Sequence, residues 1–441
     1  MKSRKILIAV LAIALVGICG LCALTGVGTY SWMRAGDIQL RFFNLDTASA
    51  IVTETRSFEV NTPVILAVET DNGDITVTAA DVDDIEVEII KKAWAESKAK
   101  AQTIAEGMEV DITQAEDQLT SAYQSTEPFG VISLSNRPDT ISFNILVPAK
   151  TSLILTAHRG GDVALNGTSG SAEVRTSFGH VEVIDVKGSL TINNSNGDIT
   201  IENVDAGSEA ISMETSFGDI TITGLTGGDV DIKTANGDIF ITELNANHDL
   251  SVKDQFGDVE VGDFSSKTLK IENQNGRINI ESGQVSGLLE ISDGFGDVSV
   301  LQVAAGQYAL KTNNGEIRLD EANGEIDMDN SFGDIVIQNA TNAVLDLKTN
   351  NGKVNFAGSL DESETHTLES SFGDIVLTIP SDSAFDIYLK TSFGEITSDM
   401  PVMITGNLSE TEWKGTLNGG GESLRAETNN GDISLENLSS D

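Results

Sequence analysis

The chain has 441 residues and only six Pro, enough for one extended domain with ancillary pieces. Its 27 Lys and Arg face 68 Asp and Glu, for a net charge of −41. A polyanion is repelled by nucleic acid and by anionic lipid surfaces, which excludes both as partners, and the acidic coat reads first as a solubility device.

Lys2, Arg4 and Lys5 precede a stretch from Ile6 to Leu24 without charge or strong polarity. Such a run is either a secretory signal or a single-span anchor. No A-x-A pattern follows cleanly, and Ile18 and Leu21, before the two cysteines, are bulkier than a lipoprotein signal usually has there. The expectation is an uncleaved N-terminal membrane helix within residues 1–30, its basic flank in the cytoplasm and Tyr30 onward outside, as in a single-pass cell-membrane protein. Cys19 and Cys22 both fall in this segment, so the exported part has neither a disulfide nor a thiolate metal site.

Residues 31–150 read as a first coil and a small α+β cap. D-N-G-D-I-T-V, ending at Val77, is the first repeat-like phrase. The Ala-, Lys- and Glu-rich stretch from Lys91 to Met108 predicts a short helix, and 108–112, 118–122 and 141–147 predict strands. The block would cover the exposed edge of the first coil.

Residues 151–397 carry the dominant signal. A Gly, usually an Asp, then Ile or Val returns about every nineteen residues at Gly179, Gly197, Gly218, Gly237, Gly257 and onward to Gly394. The residue before the Gly alternates: Phe178, Asn196, Phe217, Asn236, Phe256, Asn275, Phe295, Asn314, Phe332, Asn351, Phe372, with Phe393 breaking the order. A fixed period of this size marks a stacked repeat, because one unit cannot bury its own apolar face. In L-K-I-E-N-Q-N-G-R-I-N-I, Leu269 and Ile271 before the turn and Ile278 and Ile280 after it alternate with polar residues, giving two half-buried strands joined at a tight bend. Parallel crossovers are overwhelmingly right-handed. The expected fold is therefore all-β, a right-handed parallel β-solenoid of about 19–20-residue coils. A coil of about 39 residues, with Phe and Asn on opposite corners, is the alternative.

Counting in twos from Leu269 and Ile271 places Asn275 on the inward side. Seven of the sixteen Phe occupy this slot, so the Phe/Asn column is expected to line the core of a corner, ring and amide interdigitating between layers. Residues 398–441, where the period fails between Gly394 and Gly431, read as a looped excursion followed by a C-terminal capping coil.

Three segments carry a family resemblance: V-P-A-K-T-S-L-I-L-T at 147–156, the T-S-F-G-D-I and T-N-N-G-E-I phrases, and G-G-G-E-S-L-R-A-E-T-N-N-G-D-I at 419–433. Over nearly everything after residue 50 the chain resembles the bacterial putative adhesin family, a domain of unknown function made of β-strand repeats. The resemblance implies a β-solenoid, commonly exported or membrane-anchored, with no established activity or cofactor.

Among sites that could carry chemistry, the Asp after the repeated Gly (Asp198, Asp219, Asp238, Asp258, Asp297, Asp334, Asp374) suggests a metal array. It offers one carboxylate per coil and is interrupted by His180, Arg277 and Lys353, so a turn role is expected and no metal site. Parallel β-helices host polysaccharide lyases and hydrolases, but His158, His180, His248 and His366 are scattered and no basic cluster suits uronates. The outward row Thr200, Thr221, Phe240, Glu260, Asn279, Ser299 is too mixed for ice, while Phe240 and Phe356 are candidates for outward sugar or partner contact. The expectation is a membrane-anchored extracytoplasmic scaffold, without catalytic residues or cofactors, that binds proteins or envelope polysaccharide. A polysaccharide-active enzyme and an envelope stress sensor are the alternatives.

Overall fold

The computed structural model describes residues 34–35, 38–39, 48–61, 63–115, 118–123, 137–406 and 409–438. The expected membrane helix lies outside the described residues, and among those described no helix is long and apolar enough to cross a bilayer.

The repeats stack as a parallel β-solenoid with one coil per Gly. Leu190–Asn194 pairs in parallel with Ile211–Glu214, that strand with Val230–Lys233, and the latter with Asp249–Lys253. The second row runs Ile199–Asp205, Ile220–Gly227, Ile239–Ala246, Val259–Ser266. Ile199, Ile220, Ile239 and Val259 stand in register and are buried, as are Ile192, Met213, Ile232 and Val252 in the facing row. Asn196 bridges Phe217, and Asn275 bridges both Phe256 and Phe295. Phe and Asn therefore share one column, and the 39-residue coil is excluded.

The Gly corner is the tightest part of each winding. A Cβ on Gly237, whose φ is +153°, would stand 2.0 Å from the carbonyl oxygen of Gly218. No side chain fits there, which is why the repeat keeps Gly at this point. A second corner uses left-handed backbone at non-Gly residues, among them Asn203 (φ 53°), Glu243 (φ 56°) and Asp263 (φ 48°).

Before the regular coils, the stretch predicted as one helix divides. Residues Asp84–Ala95 form a strand with alternating buried positions, and only Lys98–Gly107 is helical. Period-2 burial of Ile85, Val87 and Ile89 continues through Lys91, whose ammonium reaches Glu54 at 3.1 Å, so the composition that favours a helix is overridden by a face that must be buried. The edge of the first coil is occupied: Gln118–Tyr123 pairs with Val64–Thr70, and Thr140–Pro148 with Ile75–Ala80.

The C-terminal end departs from chain order. Ser423–Asn430 inserts between His366–Phe372 and Phe385–Phe393, and Ile433–Asn437 inserts between Ile375–Ile379 and Ile396–Ser398. The final phrase of the sequence is thus the penultimate winding of the rod, not its terminal coil. Glu412–Leu417 then pairs antiparallel with the outer edge of Phe385–Phe393, covering strand groups that would otherwise pair with another chain.

The glycine corner gives a direct test. Gly237→Ala must push the Gly218 carbonyl away and strain a positive φ, so it is expected to cost at least about 2 kcal/mol. Gly262→Ala, where a Cβ meets nothing closer than Glu281 Oε2 at 3.9 Å, is expected to cost less than about 1 kcal/mol. Urea melts of the two variants against the parent chain check the contrast.

Candidate functional site

Three polar or aromatic columns surround the glycine corner. The first lies three residues before each Gly and is buried: Asn194, Thr215, Thr234, Asn273, Thr312, Asn330 and their equivalents. These six donate to the glycine carbonyl of the preceding winding. Asn194 Nδ2 reaches Gly179 O at 3.0 Å, Thr215 Oγ1 reaches Gly197 O at 3.1 Å, and Asn330 Nδ2 reaches Gly315 O at 2.8 Å. This column satisfies carbonyls that the tight corner buries.

The second column is the Asp after the Gly. Its Oδ1 accepts the backbone N–H of the same position one winding on: Asp219 N to Asp198 at 3.0 Å, Asp238 N to Asp219 at 2.8 Å, Arg277 N to Asp258 at 2.8 Å. His180 and Lys353 donate their amides to Asp162 and Asp334 at 2.8 and 2.7 Å, and their side chains reach the next Asp of the column, His180 Nδ1 to Asp198 at 3.4 Å and Lys353 Nζ to Asp374 at 2.9 Å. The carboxylates are inter-coil clamps. Among the described residues, no group of three or more His, Cys, Asp or Glu is placed to hold a metal ion.

The third column is the Phe/Asn file, and here the expectation of a core position fails. Phe178, Phe217, Phe256, Phe295, Phe332 and Phe372 are 51–58% exposed and Phe393 is 76% exposed. Asn196, Asn236 and Asn275 are half-buried, and Asn314 and Asn351 are exposed. Period-2 alternation ends at the corner even where the strand runs up to the file residue, as Asn323–Phe332 and His366–Phe372 do. Thr268–Glu272 ends before the corner, Asn273 takes the last inward position, and the bend at Gly276 turns the residue before it outward. Asn196 Nδ2 hydrogen-bonds Ser177 O at 3.2 Å, and Asn236 Nδ2 approaches Ser216 O at 3.4 Å, so these amides lie against the rod while the rings stand proud. Phe356, a candidate for outward contact, is instead fully buried, whereas Phe240 is half-exposed.

In space the file has no defect. Phe372 pairs with Asn430, and Asn430 pairs with Phe393. The inserted winding supplies the missing amide between two rings that are consecutive in sequence. The other columns obey the same order: Thr428 donates to Gly373 O at 2.9 Å and Thr391 to Gly431 O at 2.8 Å, while Glu395 N donates to Asp432 at 2.8 Å.

Two members of the buried column are carboxylic acids. Asp254 and Asp293 are 4% and 3% exposed, and their positions call for a donor to the carbonyls of Gly237 and Gly276. Asp254 Oδ1 accepts the amides of Gln255 and Phe256 at 2.6 and 3.2 Å, but its Oδ2 has no partner, and neither oxygen of Asp293 makes a well-formed hydrogen bond. Burial pushes both carboxyls up to about 6, outweighing nearby amides. Only the protonated acid can do what Thr and Asn do elsewhere in the column. Sequence inspection missed the column because Thr, Asn and Asp beside a Gly read as turn formers; their fixed distance of three residues from the Gly was the available signal.

The family model for Toastrack DUF4097 matches residues 65–263 and again 262–436. The chain belongs to this family. Two solved structures are also similar. One is of a putative cell adhesion protein from Clostridium sporogenes, at 8% identity and TM-score 0.17, covering 88% of this chain and 100% of that one. The other is of a putative adhesin from Bacteroides fragilis, at 11% identity and TM-score 0.18, covering 87% of this chain and 97% of that one. At such TM-scores neither superposition carries an argument. No curated protein matches.

Because its ring is outside, Phe256→Ala is expected to cost less than about 1 kcal/mol in a urea melt, whereas Ile271→Ala in the core is expected to cost about 2–5 kcal/mol. The two acids predict a pH dependence. Their folded pKa values lie above that of an unfolded Asp, so the stability they contribute is full below about pH 4 and is lost as pH rises through about 6. Buried His366, its pKa lowered by desolvation, works in the opposite sense, so the comparison must be between variants. The double substitution Asp254→Asn and Asp293→Asn should raise the melting temperature by several degrees at pH 7.5 and by much less at pH 4.5.

Proposed function

We propose that this chain is a non-catalytic adhesion scaffold, tethered to the cell membrane by its N-terminal segment, with the solenoid on the extracytoplasmic side. The Phe/Asn file is its contact surface. The observation that carries the reading is the file's completion by Asn430: ring and amide alternate without a fault even where the chain leaves sequence order. A column of half-exposed rings is costly to leave in water and does not serve the core, so its regularity points to recognition. The basic flank and apolar run at the N-terminus support the tether. A right-handed winding is part of this reading, on the general preference of parallel crossovers.

The test uses the full chain in detergent micelles. Phe217, Phe256, Phe295 and Phe332 are replaced together by Ser. The variant should keep the parent circular dichroism spectrum and melting temperature within a few degrees, yet lose sedimentation with bacterial envelope preparations. Undiminished sedimentation would remove the file from the reading. Protease digestion of intact cells should remove the solenoid while sparing the N-terminal segment; protection of the solenoid would overturn the assigned side.

A further inference from the structure

We propose that the Phe/Asn file is a stacking track for a single linear, uncharged β-linked polysaccharide lying along the rod. The proposal rests on the scaffold reading above and names its ligand class.

The spacing is the first argument. Phe217, Phe256 and Phe295 are separated by one intervening winding each, occupied by Asn236 and Asn275. Two windings at about 4.8 Å each place successive rings about 9.6 Å apart. An extended β-1,4-linked glycan repeats its disaccharide over nearly this length, and every second sugar presents the same face. Each ring would thus meet an equivalent pyranose, whose axial C–H bonds lie flat on the aromatic face.

Chemistry around the rings supplies the second argument. The row immediately before the file is uncharged here: Ser216, Ala235, Gln255, Gln274 and Gly294. Amide and hydroxyl side chains of this kind both donate to and accept from sugar hydroxyls. An open depression of about 540 Å³ crosses the same windings beside the file; Ser216, Gln255 and Gln274 line it together with Glu214, Lys233, Lys253 and Glu272, and the rings themselves stand outside it. A net charge of −41 disfavours uronates and other anionic polymers and leaves neutral sugars, N-acetylated ones included.

Other occupants fit less well. A protein strand would need free backbone groups, but those of the file are consumed between windings: Gly218 N donates to Asn236 O at 2.9 Å and Gly237 N to Phe256 O at 3.1 Å. A second copy would bring the same negative charge to the interface. Rings spaced by amides also do not make the contiguous apolar centre that a protein–protein contact uses.

Calorimetry with the full chain in micelles tests the assignment, using cellohexaose and N-acetylchitohexaose, the corresponding disaccharides, and polygalacturonate. At least one hexasaccharide should bind, and roughly tenfold or more tighter than its disaccharide, because it spans several rings. Phe256→Ala with Phe295→Ala should weaken that binding by roughly tenfold or more at unchanged melting temperature. Polygalacturonate should not bind. Failure of both hexasaccharides to bind, or binding indifferent to the two substitutions, overturns the proposal. Ring-dependent envelope retention that persists after glycan digestion, or ring-dependent dimerisation, overturns the glycan assignment while leaving the scaffold reading in place.

Discussion

The rod depends on a contact between glycines. At each winding the carbonyl oxygen of one repeat Gly lies where the Cβ of the next would be, as between Gly218 and Gly237. That approach lets the chain turn within a few residues and keeps successive windings in register. It also buries a carbonyl, which must find a donor. In most windings the polar side chain three residues before the Gly meets this demand from inside, and the Asp that usually follows the Gly ties down an amide from outside. The repeated phrase is therefore a description of one corner: donor, turn, glycine, clamp.

Fixing that corner also decides the place of the aromatic file. With the donor taking the last inward position, the residue just before the Gly has nowhere to go but out, so a large ring there is free of packing constraints and available for contact. The acidic coat and the rings then act together. Charge keeps rods apart, while the uncharged row beside the file lets a neutral ligand approach. Asp254 and Asp293 are the places where the corner's own requirement is unmet at neutral pH, because an ionised carboxylate cannot donate to the carbonyl it faces.

The insertion of the last winding shows how strongly these rules bind. The chain passes through an antiparallel excursion and returns one level below the end, yet donor, clamp and file all continue across the seam. Asn430 stands between Phe372 and Phe393, so the alternation holds in space where chain order does not.

By itself the sequence determined the parallel solenoid and the positions of glycine, clamp and file, since a nineteen-residue period with period-2 strands admits few other ways of burying aliphatic rows; one Gly per coil, rather than two, was decided by the bridge between Asn196 and Phe217. It also disclosed that the file alternates. The direction of the rings was not legible, because counting in twos assumes a straight strand and the backbone bends at the corner: the bend at Gly276 sits between Asn273 and the inward Ile278. Nor was the buried donor column, since its purpose is visible only beside the carbonyl of another winding. The seam was decided by tertiary structure alone. Phe393 looks like a break in the pattern until residues 37 positions further along the chain fold back beside it.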